Sequence, residues 1–251
     1  RIQTHKIMKN FLSFFAAALM TVSLSAADKN AFSDKMTEEA IKEVCQAVSN
    51  WQIDNFGNVK HNLLGWHNGA LYIGMYNWAE YGQDAKAAEF LMAIGDKHKW
   101  GLASRSYHAD DICVGQMYIE MYKKHKKNKM IQPLKERAFY VASHPSDAPL
   151  SKNDKVGKDT RWSWCDALFM APPVYAGLYT LTGEKVYKDY LMSEYKACTD
   201  SLYDHDESLY YRDGLRIGVP EPNGAKQFWG RGNGWVFGGL PLVLNNLPAD
   251  D

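Results

Sequence analysis

From Asp34 onward, apolar and polar positions recur at helical spacing, and little of the chain alternates as a strand would. Over Thr37–Trp51, Ala40, Ile41, Val44, Cys45 and Val48 share one face, while Glu38, Glu39, Lys42 and Glu43 fall largely on the other. This predicts an amphipathic helix. Gly57 and Asn58 break the pattern within Asn55–Leu63. A recurring unit follows. Trp66-His67-Asn68-Gly69 leads into Ala70–Glu80, apolar on most sides; Tyr81–Asp84 turns the chain, and Ala85–His98 returns as a more polar helix. His108-Ala109-Asp110-Asp111 leads likewise into Ile112–Tyr122, with a Lys-rich turn and the amphipathic Ile131–Ala142 behind it. Trp164-Cys165-Asp166 leads into Ala167–Leu181, and Lys185–Tyr203 returns after Thr182-Gly183-Glu184. The fourth unit opens at Trp229–Trp235 and runs into Val236–Leu247.

A helix that is apolar all round has to be buried, and an amphipathic partner can cover it. Repeated pairs of this kind stack into a solenoid or close into a ring, so the pattern predicts an all-α protein. Each polar-aromatic cluster precedes its inner helix, so closure would gather all of them at one mouth. Two long connections, Ser143–Arg161 and Asp204–Phe228, are expected to wall a binding site; the second carries strand-like pieces at Leu209–Tyr211 and Gly214–Ile217. Neither reads as a domain boundary.

Lys plus Arg equals Asp plus Glu at 29 each. The zero formal charge gives no support to nucleic-acid or anionic-membrane binding. Eight Trp and fifteen Tyr exceed the ordinary needs of a core; such rings stack on sugars or simply pack. Met8, the basic Lys9, the apolar Phe11–Leu24 and the small residues Ser25-Ala26-Ala27 follow the order of a secretory leader cleaved near Ala27–Asp28. Residues 1–27 are therefore expected to be upstream sequence and signal peptide. That implies export to the periplasm or beyond, without stable membrane insertion after cleavage. Residues 28–251 are expected to form one helical domain, cut short at its C-terminus. The four cysteines have neither C-x-x-C nor metal-ligand spacing, so no metal is expected and buried free thiols on helices are the default.

Candidate chemistry gathers at the helix entrances. Asp166 lies between Trp162, Trp164 and an apolar helix, a setting that raises a carboxyl pKa toward proton-donor duty. Capping the helix accounts for it equally well. In Trp229-Gly-Arg231-Gly-Asn-Gly-Trp235, three glycines in seven residues predict a tightly turning backbone that frees Arg231 and both indoles for a ligand. The alternative is a glycine-rich helix start with Arg231 paired to a structural acid. His108, Asp110 and Asp111 read as cap residues or as a proton-sharing group at the same rim. Lys123–Lys129 reads as a solvated helix end, with attraction for acidic polysaccharide as the lesser reading. Nucleotide loops, a G-x-S-x-G elbow and H-E-x-x-H are absent from the sequence.

W-x-D before a buried helix (Trp164–Asp166), A-P-P within it (Ala171–Pro173) and W-x-R-G-N-G-W (Trp229–Trp235) resemble the unsaturated rhamnogalacturonyl hydrolases of glycoside hydrolase family 105. The unsaturated glucuronyl hydrolases of family 88 share part of this pattern. The resemblance runs from Trp66 to the end. It implies an (α/α)6 barrel, of which only four inner helices can be counted here. It also implies removal of a Δ4,5-unsaturated uronic acid from the non-reducing end of lyase-generated pectin (rhamnogalacturonan) oligosaccharides, with no cofactor and no metal. One Asp would protonate C4, water would add at C5, and the hemiketal would open; the usual two-carboxylate displacement is not needed.

Matched by motif, Asp166 takes the acid/base position and Asp110 that of a second acid, with the choice between Asp110 and Asp111 left open. Arg231 would hold the uronate carboxylate, and Trp164, Trp229 and Trp235 would wall the ring. Trp66 stands where the family has an aromatic residue, and His108 shares the rim. Arg212 stands where relatives often carry His, which bears on the leaving sugar. The implied partner is an unsaturated uronyl oligosaccharide; oligomeric state is open. The rival readings are a two-carboxylate glycosidase or epimerase on the same barrel, a toroid that only binds oligosaccharide, and an inactive fragment.

Overall fold

The structure, a computed structural model, describes residues 32–150 and 159–249. The expected leader lies outside the described residues. The chain divides into two compact units, Arg1–Val48 and Ser49–Asp251. Among the described residues of the first unit is the start of helix α1 (Glu38–Asp54). The second unit holds helices α2 (Trp66–Tyr81), α3 (Ala85–Lys97), α4 (Gly115–His125), α5 (Gln132–Ser143), α6 (Ala167–Met170), α7 (Pro172–Thr182), α8 (Lys185–Leu202) and α9 (Gly230–Leu244). A small antiparallel hairpin pairs β1 (Tyr203–Asp204) with β2 (Leu209–Tyr210).

The hairpin repeat appears as an inner row backed by outer helices. Along the row α2 packs on α4, α4 on α7, and α7 on α9; α3 covers α2, α8 covers α7, and α5 lies against α8. Gly115–Ile119 of α4 and Pro172–Leu178 of α7 are buried without interruption, as expected of helices apolar on every side. Asp84 begins α3 by accepting the Ala87 N–H at 3.1 Å, and its other oxygen takes the Ser49 hydroxyl and the Trp78 indole N–H. Gly183, at φ +71°, ends α7 in the left-handed conformation that glycine adopts without strain.

Three expectations are corrected. The glycines of Trp229–Trp235 do not turn the chain; helix α9 already starts at Gly230. Their use is close approach. A Cβ on Gly232 would lie 2.6 Å from the Cys165 sulfur, and one on Gly239 would lie 2.6 Å from the Leu168 carbonyl oxygen. Helix α9 therefore rides directly on α6, and packing overrides the poor helix propensity of glycine. The single helix expected over Ala167–Leu181 is instead broken at Ala171, because Pro172 and Pro173 offer no N–H to the preceding turn. The carbonyls left open at Phe169 and Met170 accept the buried Gln116 side-chain amide at 2.8 and 3.2 Å. The strand-like piece at Gly214–Ile217 is a 3-10 turn, Gly214–Arg216.

The Lys-rich run is largely occupied locally. Lys123 holds Glu120 and Asn246, Lys124 holds Glu80, and Lys129 holds Asp96. All four cysteines are free thiols; Cys113, Cys165 and Cys198 are buried and Cys45 is half-buried. Cys113 and Cys165 lie in turns beside helices rather than on them.

Candidate active site

The inner-helix entrances open onto a cleft of about 640 Å³ in the second unit. Asp110, Asp166, Trp66, His108, Trp164, Trp229, Arg231 and Arg212 all line it, so eight residues expected from sequence come together there.

Asp166 stands immediately before α6, yet its carboxylate makes no hydrogen bond that caps the helix. It is held by its segment. Trp164 pairs with Asp213 as an isolated bridge, and the Cys165 N–H donates to the Arg212 carbonyl at 3.0 Å. On the other side, Arg161 Nε donates to both Glu194 oxygens at 2.7 and 2.9 Å, and the Trp162 N–H reaches the same carboxylate. Burial pushes the Asp166 pKa up. The N–H groups of Asp166 and Ala167 and the guanidiniums of Arg231 and Arg212 oppose this, and burial prevails.

Asp110 sits in a 3-10 turn, Ala109–Ile112. Burial raises its pKa; His108 opposes, while the negative charge of Asp166 adds to the rise. The charge of Asp166 thus favours the protonated form of Asp110. His108 is biased by burial toward its neutral form, and its Nδ1 accepts the Asp110 N–H at 3.3 Å.

Asp111 does not line the cleft, in contrast to the substrate-binding position expected for it. Its buried carboxylate accepts the Arg105 N–H at 2.8 Å, Nη2 at 2.6 Å and Nε at 3.2 Å. The same guanidinium lies 3.7 Å from Asp110. Of the two adjacent acids, Asp110 faces the cleft and Asp111 clamps the turn beneath it. Trp235 is likewise not a cleft wall. Its ring packs 4.7 Å from Phe169 and edge-on at 6.0 Å to Trp66, so it supports Trp66 from behind.

Two arginines bracket an indole pair. Arg212 stacks over Trp164 at 4.3 Å, Trp164 meets Trp229 edge-on at 6.3 Å, and Arg231 lies over Trp229 at 4.9 Å. Arg212 is neutralised by the buried Asp213, 2.6 Å from its Nε. Arg231, exposed in the first turn of α9, has no ion pair among the described residues, so the alternative of a structural acid for it finds no support. Sequence reasoning missed Arg161, Arg216, Glu221, Gln227 and Phe228, which complete the walls. Arg161 was within reach, since it directly precedes the W-S-W-C-D segment; the other four lie on a long connection without periodicity. Among the described residues no cluster of three or more His, Cys, Asp or Glu could hold a metal ion, and no helix is long and apolar enough to cross a membrane.

An inner row of buried helices, outer helices behind it, and a polar-aromatic cleft at the inner N-termini define an α/α-barrel protein of the carbohydrate-active type. Residues 32–251 match Glycosyl Hydrolase Family 88, and the chain belongs to that family. It is 30% identical over 232 residues to the unsaturated 3S-rhamnoglycuronyl hydrolase of Alteromonas sp. (strain LOR), covering 84% of this chain and 56% of that protein. It is 36% identical over 194 residues to the protein of the same name from Formosa agariphila, covering 74% and 52%. The chain thus spans about half the length of these curated relatives. A solved structure described as a polysaccharide lyase superposes with a TM-score of 0.73 at 26% identity, covering 84% of this chain and 61% of its own. Solved proteins of families 88 and 105 share the fold.

Proposed function

We propose that the protein containing this chain hydrolyses Δ4,5-unsaturated uronyl residues from the non-reducing ends of oligosaccharides left by polysaccharide lyases, with a rhamnose-type sugar as the leaving group. The observation that carries this reading is the pairing of the half-buried Asp166, whose pKa burial raises, with the uncompensated guanidinium of Arg231 in one indole-walled cleft. The names of the two curated relatives support it. An unsaturated uronate presents a planar carboxylate and a half-flat ring. A guanidinium grips such a carboxylate through two parallel hydrogen bonds, and indole faces accept the ring.

With the carboxylate on Arg231, Asp166 delivers its proton to C4 of the vinyl ether. The cation that develops at C5 is taken by water, which the resulting Asp166 carboxylate deprotonates. The C5 hemiketal then opens and releases the next sugar. Asp110, close enough to influence Asp166, orients the water or a ring hydroxyl. The leader-like residues 8–27 support export as the setting for this work.

The test is an ultraviolet assay on lyase-digested rhamnogalacturonan and related glycans. Hydrolysis removes the conjugated acid, so absorbance falls. Asp166→Asn should slow this by about a hundredfold to ten-thousandfold, the range for a positioned general acid. Full activity in that variant, or unchanged absorbance on every unsaturated substrate, would refute the proposal. The structural likeness to a polysaccharide lyase motivates a second reading. The same assay separates it, because a lyase acting on saturated polymer makes absorbance rise.

A further inference from the structure

Asn233 lies in the first turn of α9, two residues after Arg231, and its side-chain amide bonds only to backbone. Its Oδ1 accepts the Tyr210 N–H at 2.8 Å, and its Nδ2 donates to the Tyr210 carbonyl at 2.9 Å and to the Trp229 carbonyl at 3.2 Å. An amide offers one oxygen acceptor and two N–H donors, so every group on this side chain has a partner. Tyr210 stands opposite Tyr203 in the hairpin, yet its N–H and carbonyl both go to Asn233. The next bond along, from the Tyr211 N–H to the Leu202 carbonyl at 2.9 Å, points the other way. In an antiparallel strand the backbone groups of successive residues alternate between the two edges. Asn233 therefore fills the edge of β2 that β1 leaves open, where a third strand would otherwise pair.

That edge leads to the segment bearing the acid. Two residues on from Tyr210, the Arg212 carbonyl accepts the Cys165 N–H at 3.0 Å, and Asp213 pairs with Trp164. Residues 209–213 thus carry two attachments, α9 through Asn233 and the Trp164–Asp166 segment through Arg212 and Asp213. Helix α9 has a seat of its own, since a Cβ on Gly232 would meet Cys165 and one on Gly239 would meet Leu168. Arg231 keeps its place with the helix, whereas the Asp166 segment is tied to the strand. The Asn233 amide is what fixes the strand to the helix.

We propose that Asn233 is a positioning residue: standing in for a missing strand beside Tyr210, it sets the separation between the Arg231 guanidinium and the Asp166 carboxyl. The reaction that this separation serves rests on the hydrolase reading above; the mechanical link does not.

The experiment compares the whole chain with Asn233→Ala and Asn233→Asp. On an unsaturated uronyl disaccharide, Asn233→Ala should lower kcat by about tenfold to a hundredfold, the cost of misplacing a reacting group by about 1 Å. KM should change far less, because Arg231 keeps its seat. In the Asp166→Asn background the same substitution should leave the residual rate unchanged, there being no proton donor left to misplace. In Asn233→Asp the ionised carboxylate still accepts the Tyr210 N–H but meets two carbonyls with no proton to offer; the protonated acid regains one O–H donor. The kcat of that variant relative to the parent should therefore recover as pH falls through the pKa of the introduced group. Parental kcat in Asn233→Ala, a loss borne by KM alone, losses that multiply in the double variant, or an Asn233→Asp deficit independent of pH would overturn the proposal. If the parent turns over no unsaturated substrate, the hydrolase reading falls and amide hydrogen exchange decides the link. Faster exchange at both Tyr210 and Cys165 in Asn233→Ala sustains it, and a change confined to Tyr210 overturns it. Should Asn233→Ala fail to fold, exchange in Asn233→Asp serves in its place: protection at Cys165 regained at low pH supports the link, and protection that does not respond to pH counts against it.

Discussion

Neutralising Glu194 tests how the Asp166 segment is held. Glu194 lies on α8 with 3% of its side chain exposed, and Arg161 opposite is 15% exposed. Glu194→Gln keeps the shape, removes the charge, and turns an amide N–H₂ toward a guanidinium donor. The Trp162 N–H also loses a charged acceptor. Leaving one member of a buried ion pair uncompensated costs about 3–5 kcal/mol. Arg161 retains the Ala148 carbonyl at 2.7 Å and some solvent, which places the expected loss near the lower end, about 3 kcal/mol. Urea unfolding followed by tryptophan fluorescence measures it, since Trp162 and Trp164 flank the perturbed contact. Replacing both partners together, Arg161→Met with Glu194→Met, should recover most of that loss, because no charge is then left buried. A loss below about 1 kcal/mol in Glu194→Gln would equal that of an exposed pair and refute the burial argument.

Burial raises the Asp166 pKa above the ordinary carboxylate value of 3.8, so the folded state binds this proton more tightly than the unfolded one. The stabilisation from that proton is complete below the unfolded value and is lost as pH rises through the folded one. Asp166→Asn should therefore unfold at a higher temperature than the parent at neutral pH, with the gap closing toward pH 3.8; thermal melts across pH check this, and a pH-independent gap would contradict it. In Gly232→Ala the new Cβ would lie 2.3 Å from the Trp229 ring, so overpacking should cost about 1–3 kcal/mol in melts and raise the KM for uronate by displacing Arg231. Gly234→Ala, with nothing within 4 Å, should instead stabilise α9 by up to about 1 kcal/mol. Asp111→Asn should lower stability by about 1–3 kcal/mol in urea unfolding while leaving KM within scatter; a raised KM at unchanged stability would return Asp111 to the substrate site.

The helix hairpins were legible because inner helices that are apolar all round have no other way to exist in water. Asp166 and Arg231 were legible for a related reason: an acid among indoles, or an arginine among glycines, has little to do in a core. The reading of Gly230–Gly234 as a turn failed because glycine's low helix propensity is a local quantity, whereas its lack of a side chain against Cys165 is a tertiary one. The proline pair at 172–173 was visible, but the helix break it causes is completed by Gln116, more than fifty residues away. No local pattern announces the Arg161–Glu194 pair, whose partners are 33 residues apart, or the bonding of Asn233 to Tyr210.

Sequence by itself determined the hairpin repeat, the cluster at each inner-helix entrance, and the family to which these motifs point. Tertiary structure alone decided which of two adjacent acids meets the cleft. On a 3-10 turn, successive side chains point about 120° apart, so Asp110 and Asp111 cannot both face the same way. The turn packs against α2 and α6, and that packing sets its rotation. With the phase so set, Asp110 joins Asp166 while Asp111 is turned toward Arg105.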